Sequence, residues 1–205
     1  MMKSNKIYLA SQSPRRRELL KQIGVHFEPL LLRTELLRGA DVDESPLENE
    51  DPALYVQRVC LAKAEAAQRA VLWRNLPDHP ILTADTTVAL GQQIFGKPRD
   101  SDHAFEILRS LAGKSHQVLT AVAMIFEEHC ESRLSTTTVR FSPLSDAQIN
   151  HYLLSNEAHD KAGAYGIQGR AGAFVERIEG SYTGVMGLPL FETIELLRHF
   201  SCTDL

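Results

Sequence analysis

The sequence predicts an α/β fold built on a mixed central sheet. Three observations lead there. Short apolar runs alternate with segments of 3.6-residue periodicity over most of the chain, the pattern of strand–helix–strand units. Between His116 and Phe141 the alternation stops, and two long β-rich runs flank Glu127-Glu128-His129, a hairpin by length and position. Glycine, proline and small polar residues stand where one period gives way to the next. A sheet joined through helices at its ends and through a hairpin in its middle is mixed.

The elements follow in order. A strand over Ile7–Ala10 runs into Ser11-Gln12-Ser13-Pro14. Ser13 is suited to cap a helix and Pro14 to its first position. That helix carries Leu19, Leu20 and Ile23 on one face and stops at Gly24. Val25–Leu32 reads as a strand, and the acidic, Pro46-interrupted segment from Arg33 to Asp51 as an exposed loop. Asp51-Pro52 opens a long helix to about Ala70, with Tyr55, Val56, Val59, Ala62, Ala66 and Ala70 near one face. Pro80–Ala84 and Thr86–Leu90 are strand-like, with Asp85 between them. Gly96-Lys97-Pro98 is a turn, and a helix is expected over Asp100–Ala112. After the hairpin come a helix over Ser145–Ser155, a loop with Gly163, Gly166, Gly169 and Gly172, a strand over Ala173–Ile178, and a helix from Pro189 to about Phe200.

Composition narrows the function. A net charge of -4 disfavours a nucleic-acid binder, which needs a broad basic face, but leaves room for a small anionic ligand held by a local cation cluster. Cys60, Cys130 and Cys202 are far apart and odd in number, so neither a disulfide framework nor a cysteine zinc site is expected. The eight histidines show no H-x-x-x-H or comparable zinc spacing. Met1–Lys6 is basic like the start of a signal peptide, yet Ile7–Ala10 is too short for its apolar region. No run approaches the roughly 20 apolar residues of a membrane span. The cytoplasm is the expected compartment, with no membrane or nucleic-acid partner.

The segment Ser11–Arg17 is the richest in chemistry. Three arginines in the first turn of a helix oppose the positive end of its dipole, which costs a few tenths of a kcal/mol each unless an anion docks there. Free amides, the Ser11 and Ser13 hydroxyls and the guanidiniums of Arg15 and Arg16 can hold phosphate; a solvated basic turn is the bland alternative. Asp85 in its apolar stretch is either an expensive buried carboxylate or a base or metal ligand at a strand end. Lys97 is a turn lysine, Lys63 a lysine among alanines on the long helix, and Glu44 part of an acidic loop. All three are ordinarily solvated, although loop carboxylates are what a Mg²⁺–triphosphate site needs. There is no P-loop signature and no G-x-S-x-G elbow.

Ordered blocks then resemble a family. Leu9–Arg16 is similar to the S-x-S-P-R-R opening of the Maf family of nucleotide pyrophosphatases. The likeness continues through Val42-Asp43-Glu44, Tyr55–Arg58 with Ala62-Lys63-Ala64, Ala84-Asp85-Thr86, Gly96-Lys97-Pro98 and His116–Thr120. It ends with Asp160–Gly169, Gly180-Ser181-Tyr182 and Gly187–Leu190, so that it spans about residues 7 to 197. The resemblance implies one domain over residues 1–205, with two lobes around a deep cleft that holds the site. It also implies a divalent metal and hydrolysis between the α and β phosphates.

On the same resemblance, Asp85 falls at the catalytic aspartate, and Arg15, Thr86 and Gln168 at substrate-selecting positions. The block Lys161–Gly169 and the threonine after Asp85 resemble the dTTP/UTP branch rather than relatives that prefer 7-methyl-GTP. Gln12 fills a variable position, and Arg33–Ala40 lengthens the loop ahead of Glu44. The expected mechanism joins both lines of argument. Ser11, Ser13, Arg15, Arg16, Lys63 and Lys97 take the triphosphate; Glu44 and Asp85 hold Mg²⁺ or Mn²⁺; Asp85 orients or deprotonates water; Gln168 reads a uracil or thymine edge. The substrate class would include dTTP, UTP and modified pyrimidine nucleotides. Beyond that small molecule, the expected partner is at most a second copy of the chain. The rival from another class is a non-catalytic nucleotide sensor in cell-division control, which needs the phosphate cluster but not Asp85.

Overall fold

The computed structural model describes residues 6–33, 41–203 and 205. Its elements are β1 (Lys6–Leu9), α1 (Pro14–Gln22), β2 (His26–Pro29), α2 (Pro52–Trp73), β3 (Ile81–Leu90), β4 (Gln93–Phe95), α3 (Ser101–Leu111), β5 (Ser115–Phe126), β6 (His129–Phe141), α4 (Asp146–Leu153), β7 (Val175–Glu179), α5 (Tyr182–Met186) and α6 (Leu190–His199). One sheet runs in the order β2-β1-β3-β5-β6-β7, with β4 paired to β3. β1 is parallel to β2 and β3; every other pairing is antiparallel. The sheet is mixed, as the alternation of periods predicts. None of the described helices is long and apolar enough to cross a membrane.

Local chemistry fixes the helix starts. Ser13 Oγ accepts from the Arg16 amide at 3.4 Å, and Pro14 follows as expected. Asp51 caps α2 through the amides of Ala53 (2.9 Å) and Leu54 (3.3 Å). Ser145 and Gln148 form a capping box at the start of α4. Several expected boundaries shift. β2 ends at Pro29 instead of Leu32, and α2 continues three residues past Ala70. His129 belongs to β6, paired with Phe126, so the hairpin turns on Glu127 and Glu128 alone. Ala173 and Phe174 lie in a 3₁₀ turn, and β7 starts at Val175. The three-residue β4 and five-residue α5 are too short to leave a periodic signature. Of the segment Arg33–Ala40, residues 34–40 lie outside the described residues.

The main correction concerns Asp85. β3 is one continuous strand of ten residues with Asp85 in its middle, opposite Ala121 of β5. The carboxylate does not break the strand, because β5 satisfies its backbone and Lys63 of α2 satisfies its charge.

Strand alternation sorts the core. One face of the long strands presents Ile81, Ala89, Leu119, Ala121, Ala123 and Ile125 to the apolar stripe of α2, which includes Val56, Val59, Cys60, Ala64 and Ala67. The other face splits. At one end Leu82, Ala84, Val122 and Met124 pack with α1, α5 and α6. At the other, Val88, Val118, Val139 and Phe141 pack with α3, α4 and the glycine-rich loop. Between these clusters runs a polar cross-strand row, Thr86 opposite Thr120 and Thr120 opposite Ser135. The lobes meet at that row.

The glycine-rich loop is fastened to the second cluster. Gly163 has a φ of +70°, and a Cβ there would lie 2.7 Å from Val88 Cγ2, so this close approach to β3 needs glycine. Tyr165 Oη lies 2.9 Å from His116 Nε2, with both residues buried beside Phe141. Burial pushes His116 down to about 4 from its ordinary 6.5.

The sign of the resulting pH dependence follows. Above 6.5 the ring is neutral whether the chain is folded or not. Below 6.5 the unfolded chain takes the proton first, so stability falls as pH drops from 6.5 toward 4, by about 3 kcal/mol in all. His116→Phe cannot take that proton. Urea unfolding at pH 7 and pH 4.5 should show a smaller loss for the variant; equal losses would place the acid sensitivity elsewhere.

Candidate active site

The site begins where the sheet opens. β1 pairs with β3 only at Tyr8–Ile81 and Leu9–Leu82, after which the Ala10 amide donates to Leu82 O at 2.9 Å. The chain then turns through Ser11–Ser13 into α1, and β4 joins the same strand only from Val88 onward. Thr83–Thr87 are therefore paired on the β5 side alone.

Ala84 lies two residues beyond Leu82, so its carbonyl points to the open flank, where it accepts from Arg16 Nη1 at 2.7 Å. The same guanidinium donates to Gly187 O through Nε (2.6 Å), to Ser11 Oγ through Nη1 (3.2 Å) and to Thr86 Oγ1 through Nη2 (3.1 Å). Thr120 Oγ1 lies 3.0 Å from Thr86 Oγ1 and donates to Gly184 O at 2.8 Å. Burial pushes Arg16 below its ordinary range, and the nearby Asp85 carboxylate opposes that fall. Ser13 is occupied as the helix cap, and its own amide donates to Ser11 Oγ at 3.2 Å. These bonds hold the turn and α1 against the sheet.

Asp85 projects to the opposite face, toward α2. Lys63 Nζ lies 2.6 Å from Asp85 Oδ1 and 2.9 Å from Glu44 Oε1. The Asp85 side chain is 11% exposed and that of Glu44 46%. Burial drives the Lys63 ammonium down, but Asp85 and Glu44 more than compensate, and it ends above its ordinary range. Glu44 reaches the cleft because its loop is anchored to α2. Tyr55 Oη donates to Glu44 O at 2.9 Å, and Arg58 donates to Ser45 O (3.0 Å) and to Glu50 (2.6 and 2.8 Å). The Arg58 hydrogen bonds push Glu50 down to about 2.

The facing wall comes from the second lobe. Lys97, Asp160, Lys161, Tyr165 and Gln168 line the same cleft of about 1080 Å³ as Arg15, Glu44, Lys63, Asp85 and Thr86. The Gly163 amide donates to Gly96 O at 3.1 Å, which sets the Lys97 turn beside the glycine-rich loop. Among the described residues, the exposed Lys97 has no carboxylate partner and the exposed Gln168 amide makes no hydrogen bond. Arg15 spans the opening, its Nη1 3.3 Å from Asp160 Oδ2. Lys161 Nζ holds Asp160 Oδ1 at 2.6 Å.

All ten positions singled out in the sequence, Ser11, Ser13, Arg15, Arg16, Glu44, Lys63, Asp85, Thr86, Lys97 and Gln168, with Glu44 and Asp85 as the acidic pair, border this one cleft. They differ in how they are held. Lys97 and Gln168 present unengaged groups to the cleft, Arg15 and Lys63 line it within ion pairs to Asp160 and to Asp85 and Glu44, and Arg16, Ser11, Ser13 and Thr86 are bound into the scaffold. Asp160, which holds Arg15, was not singled out; only its place ahead of Lys161 in the glycine-rich block hinted at it. Thr120 and Gly187 stood within blocks of the family likeness but were given no role, because their parts depend on what packs across the sheet. Chemically, the cleft joins a carboxylate pair on one side to three cations aimed at its space, which suits a polyanion that must be bound and attacked at phosphorus.

Comparison with known proteins agrees with this geometry. The Maf-like protein family profile matches residues 6–200. A protein of Aromatoleum aromaticum named dTTP/UTP pyrophosphatase is 57% identical over 196 residues, covering 95% of each chain. One of the same name from Nitrosomonas europaea is 56% identical over 194 residues, 95% of this chain and 94% of that one. Among solved structures, the Staphylococcus aureus Ham1 protein is similar over 95% of this chain and 97% of that one, at 12% identity and a TM-score of 0.49. With the profile matched from the first described strand to the end of the last helix, and relatives identical at more than half their positions, the chain belongs to the Maf family.

Proposed function

We propose that this chain, acting as one domain over residues 1–205, is a nucleoside triphosphate pyrophosphatase that hydrolyses dTTP and UTP. Water adds to the α phosphorus, the α–β phosphoanhydride bond breaks, and the products are the nucleoside monophosphate and pyrophosphate. The observation that carries this reading is Asp85. It is a carboxylate on the floor of a cleft whose other charged groups are mostly cations, in a chain whose relatives bear that activity in their names.

In this reading Asp85 orients the attacking water and takes its proton, acting as general base from a rigid strand. Lys63, held cationic by two carboxylates, faces the phosphates from one side. Lys97 and Arg15 face them from the other and neutralise the charge that gathers on departing pyrophosphate. Arg15 leaves Asp160 to do so, an exchange of one exposed ion pair worth at most about 1 kcal/mol for a phosphate contact. Arg16 acts mainly as a brace, since four of its roughly five N–H donors are already engaged with the protein.

A divalent metal fits the carboxylate pair. Glu44 and Asp85 converge within 2.9 Å of a single cation, the Lys63 ammonium, and all their donor atoms are oxygens, as Mg²⁺ and Mn²⁺ prefer. When bound, such an ion would supply charge neutralisation and a more acidic water. The Gln168 amide, with no partner among the described residues, can both donate and accept at a pyrimidine edge. The supporting geometry is its place in the loop fastened by Gly163 and Tyr165.

Three outcomes test the proposal. With Mg²⁺ or Mn²⁺, dTTP and UTP should give monophosphate and pyrophosphate; orthophosphate with a nucleoside diphosphate would sink the assignment. Asp85→Asn should fold, by circular dichroism, yet lose at least about 10²-fold in kcat. Turnover near the wild-type rate would make Asp85 a structural partner of Lys63 and nothing more. Gln168→Ala should raise KM for dTTP and UTP and shrink discrimination against CTP by about 5- to 100-fold, the worth of roughly 1–3 kcal/mol of hydrogen bonding. Arg15→Ala should weaken all triphosphates alike. An unchanged dTTP/CTP ratio of kcat/KM in Gln168→Ala would remove it from base recognition.

A further inference from the structure

Far along the sheet from the carboxylate pair, three metal-ligating side chains converge. His129 and Glu131 stand two apart at the start of β6 and so share a face; His199 is the last residue of α6. His129 Nε2 lies 3.2 Å and His199 Nε2 3.1 Å from the same oxygen, Glu131 Oε1. All three ligand atoms lie within 4.8 Å of one another. The imidazoles are stacked, with centroids 5.5 Å apart and planes 20° from parallel, and Phe200 backs His129 at 5.0 Å. Arg133 Nη2 holds the other carboxylate oxygen at 3.3 Å, and the same guanidinium approaches Glu195 at 4.0 Å, so Oε1 is left for the histidines. Cys130 points to the opposite face of the strand.

We propose that His129, Glu131 and His199 form a second metal site, selective for Zn²⁺. The donor set of two imidazoles and one carboxylate is a zinc set and differs from the all-oxygen pair in the cleft. The spacing agrees. Bonds of about 2.0–2.1 Å in a tetrahedron place neighbouring ligand atoms roughly 3.3 Å apart, close to the two edges observed. Both histidines are about half exposed, so a small rotation closes the remaining edge and water completes the shell. Arg133 plays the outer part that orients a ligating carboxylate. The ion would clip the tip of the β5–β6 hairpin to the C-terminal end of α6, two segments some 70 residues apart in sequence.

The test uses the full chain, stripped with a chelator and kept in excess Mg²⁺ so that the cleft carboxylates are not free for zinc. ZnCl₂ is titrated calorimetrically into the wild type, His129→Ala/His199→Ala and His199→Asn, with melting followed in parallel. The wild type should take up one Zn²⁺ per chain and melt at higher temperature with it. The double variant should lose at least about 100-fold in affinity, since even outer-shell losses weaken zinc sites 10- to 100-fold, and should lose the melting shift. His199→Asn should fall between them. Mg²⁺-supported turnover of dTTP should be the same in all three, because neither histidine borders the cleft. Equal zinc affinity and equal melting shifts across the three proteins, or no calorimetric uptake by the wild type, would overturn the proposal.

Discussion

A sheet that opens along one strand must find partners for the backbone it exposes, and in this protein the Arg16 guanidinium supplies them. The Ala84 carbonyl has lost β1 as a neighbour and sits within the sheet; leaving it bare would cost roughly 1–3 kcal/mol. Arg16 accepts burial, which pushes its ionisation down, in exchange for bonds to Ala84, Gly187, Ser11 and Thr86. Three segments, β3, the Ser11 turn and the chain at Gly187, meet on that one side chain. A lysine, with a compact ammonium instead of a planar fork, cannot hold them in the same directions. The cleft exists because the gap beside β3 is kept open at its backbone and closed only at its end.

The opening divides the labour between two faces of β3. Thr86 turns to the polar row where the lobes meet, and Asp85 turns to α2 and Lys63. Consecutive residues on a strand point in opposite directions, so one short segment serves both scaffold and chemistry. Lys63 allows two carboxylates to stand together at one end of a cleft whose other charges are mostly cationic. Their mutual repulsion is offset by an ammonium within 2.9 Å of each. The second lobe then brings side chains that the scaffold leaves unengaged: Gln168 on a loop pinned by a glycine too close to Val88 for any side chain, and Lys97 on the turn that the same glycine's amide holds.

Much of the fold was legible in the sequence because its signals are local. Ser13-Pro14, Asp51-Pro52 and the Ser145–Gln148 box each satisfy free helix amides within a few residues, and the helices start there. The long β-rich runs paired as a hairpin because only a two-residue turn separates them. The errors have physical causes as well. Asp85 looked like an interruption of β3, since a carboxylate in an apolar run ordinarily is one; a partner 22 residues away on α2 removed the penalty. The histidine spacing gave no zinc pattern, because His199 joins His129 and Glu131 only through the packing of α6 on β6.

The sequence by itself therefore determined the class of fold, the capped helix starts and the residue types of the cleft, with a family likeness that the comparisons bear out. These depend on periodicity and on chemistry between near neighbours. Only the tertiary structure decided which of those residues face open space and which are bound into the frame. Arg15 and Arg16 are adjacent and identical in type, yet one reaches across the cleft to Asp160 and the other is held beneath it by β3 and Gly187. No local rule separates them, because the difference lies in which unpaired carbonyl the sheet presents and how far away in sequence that carbonyl is.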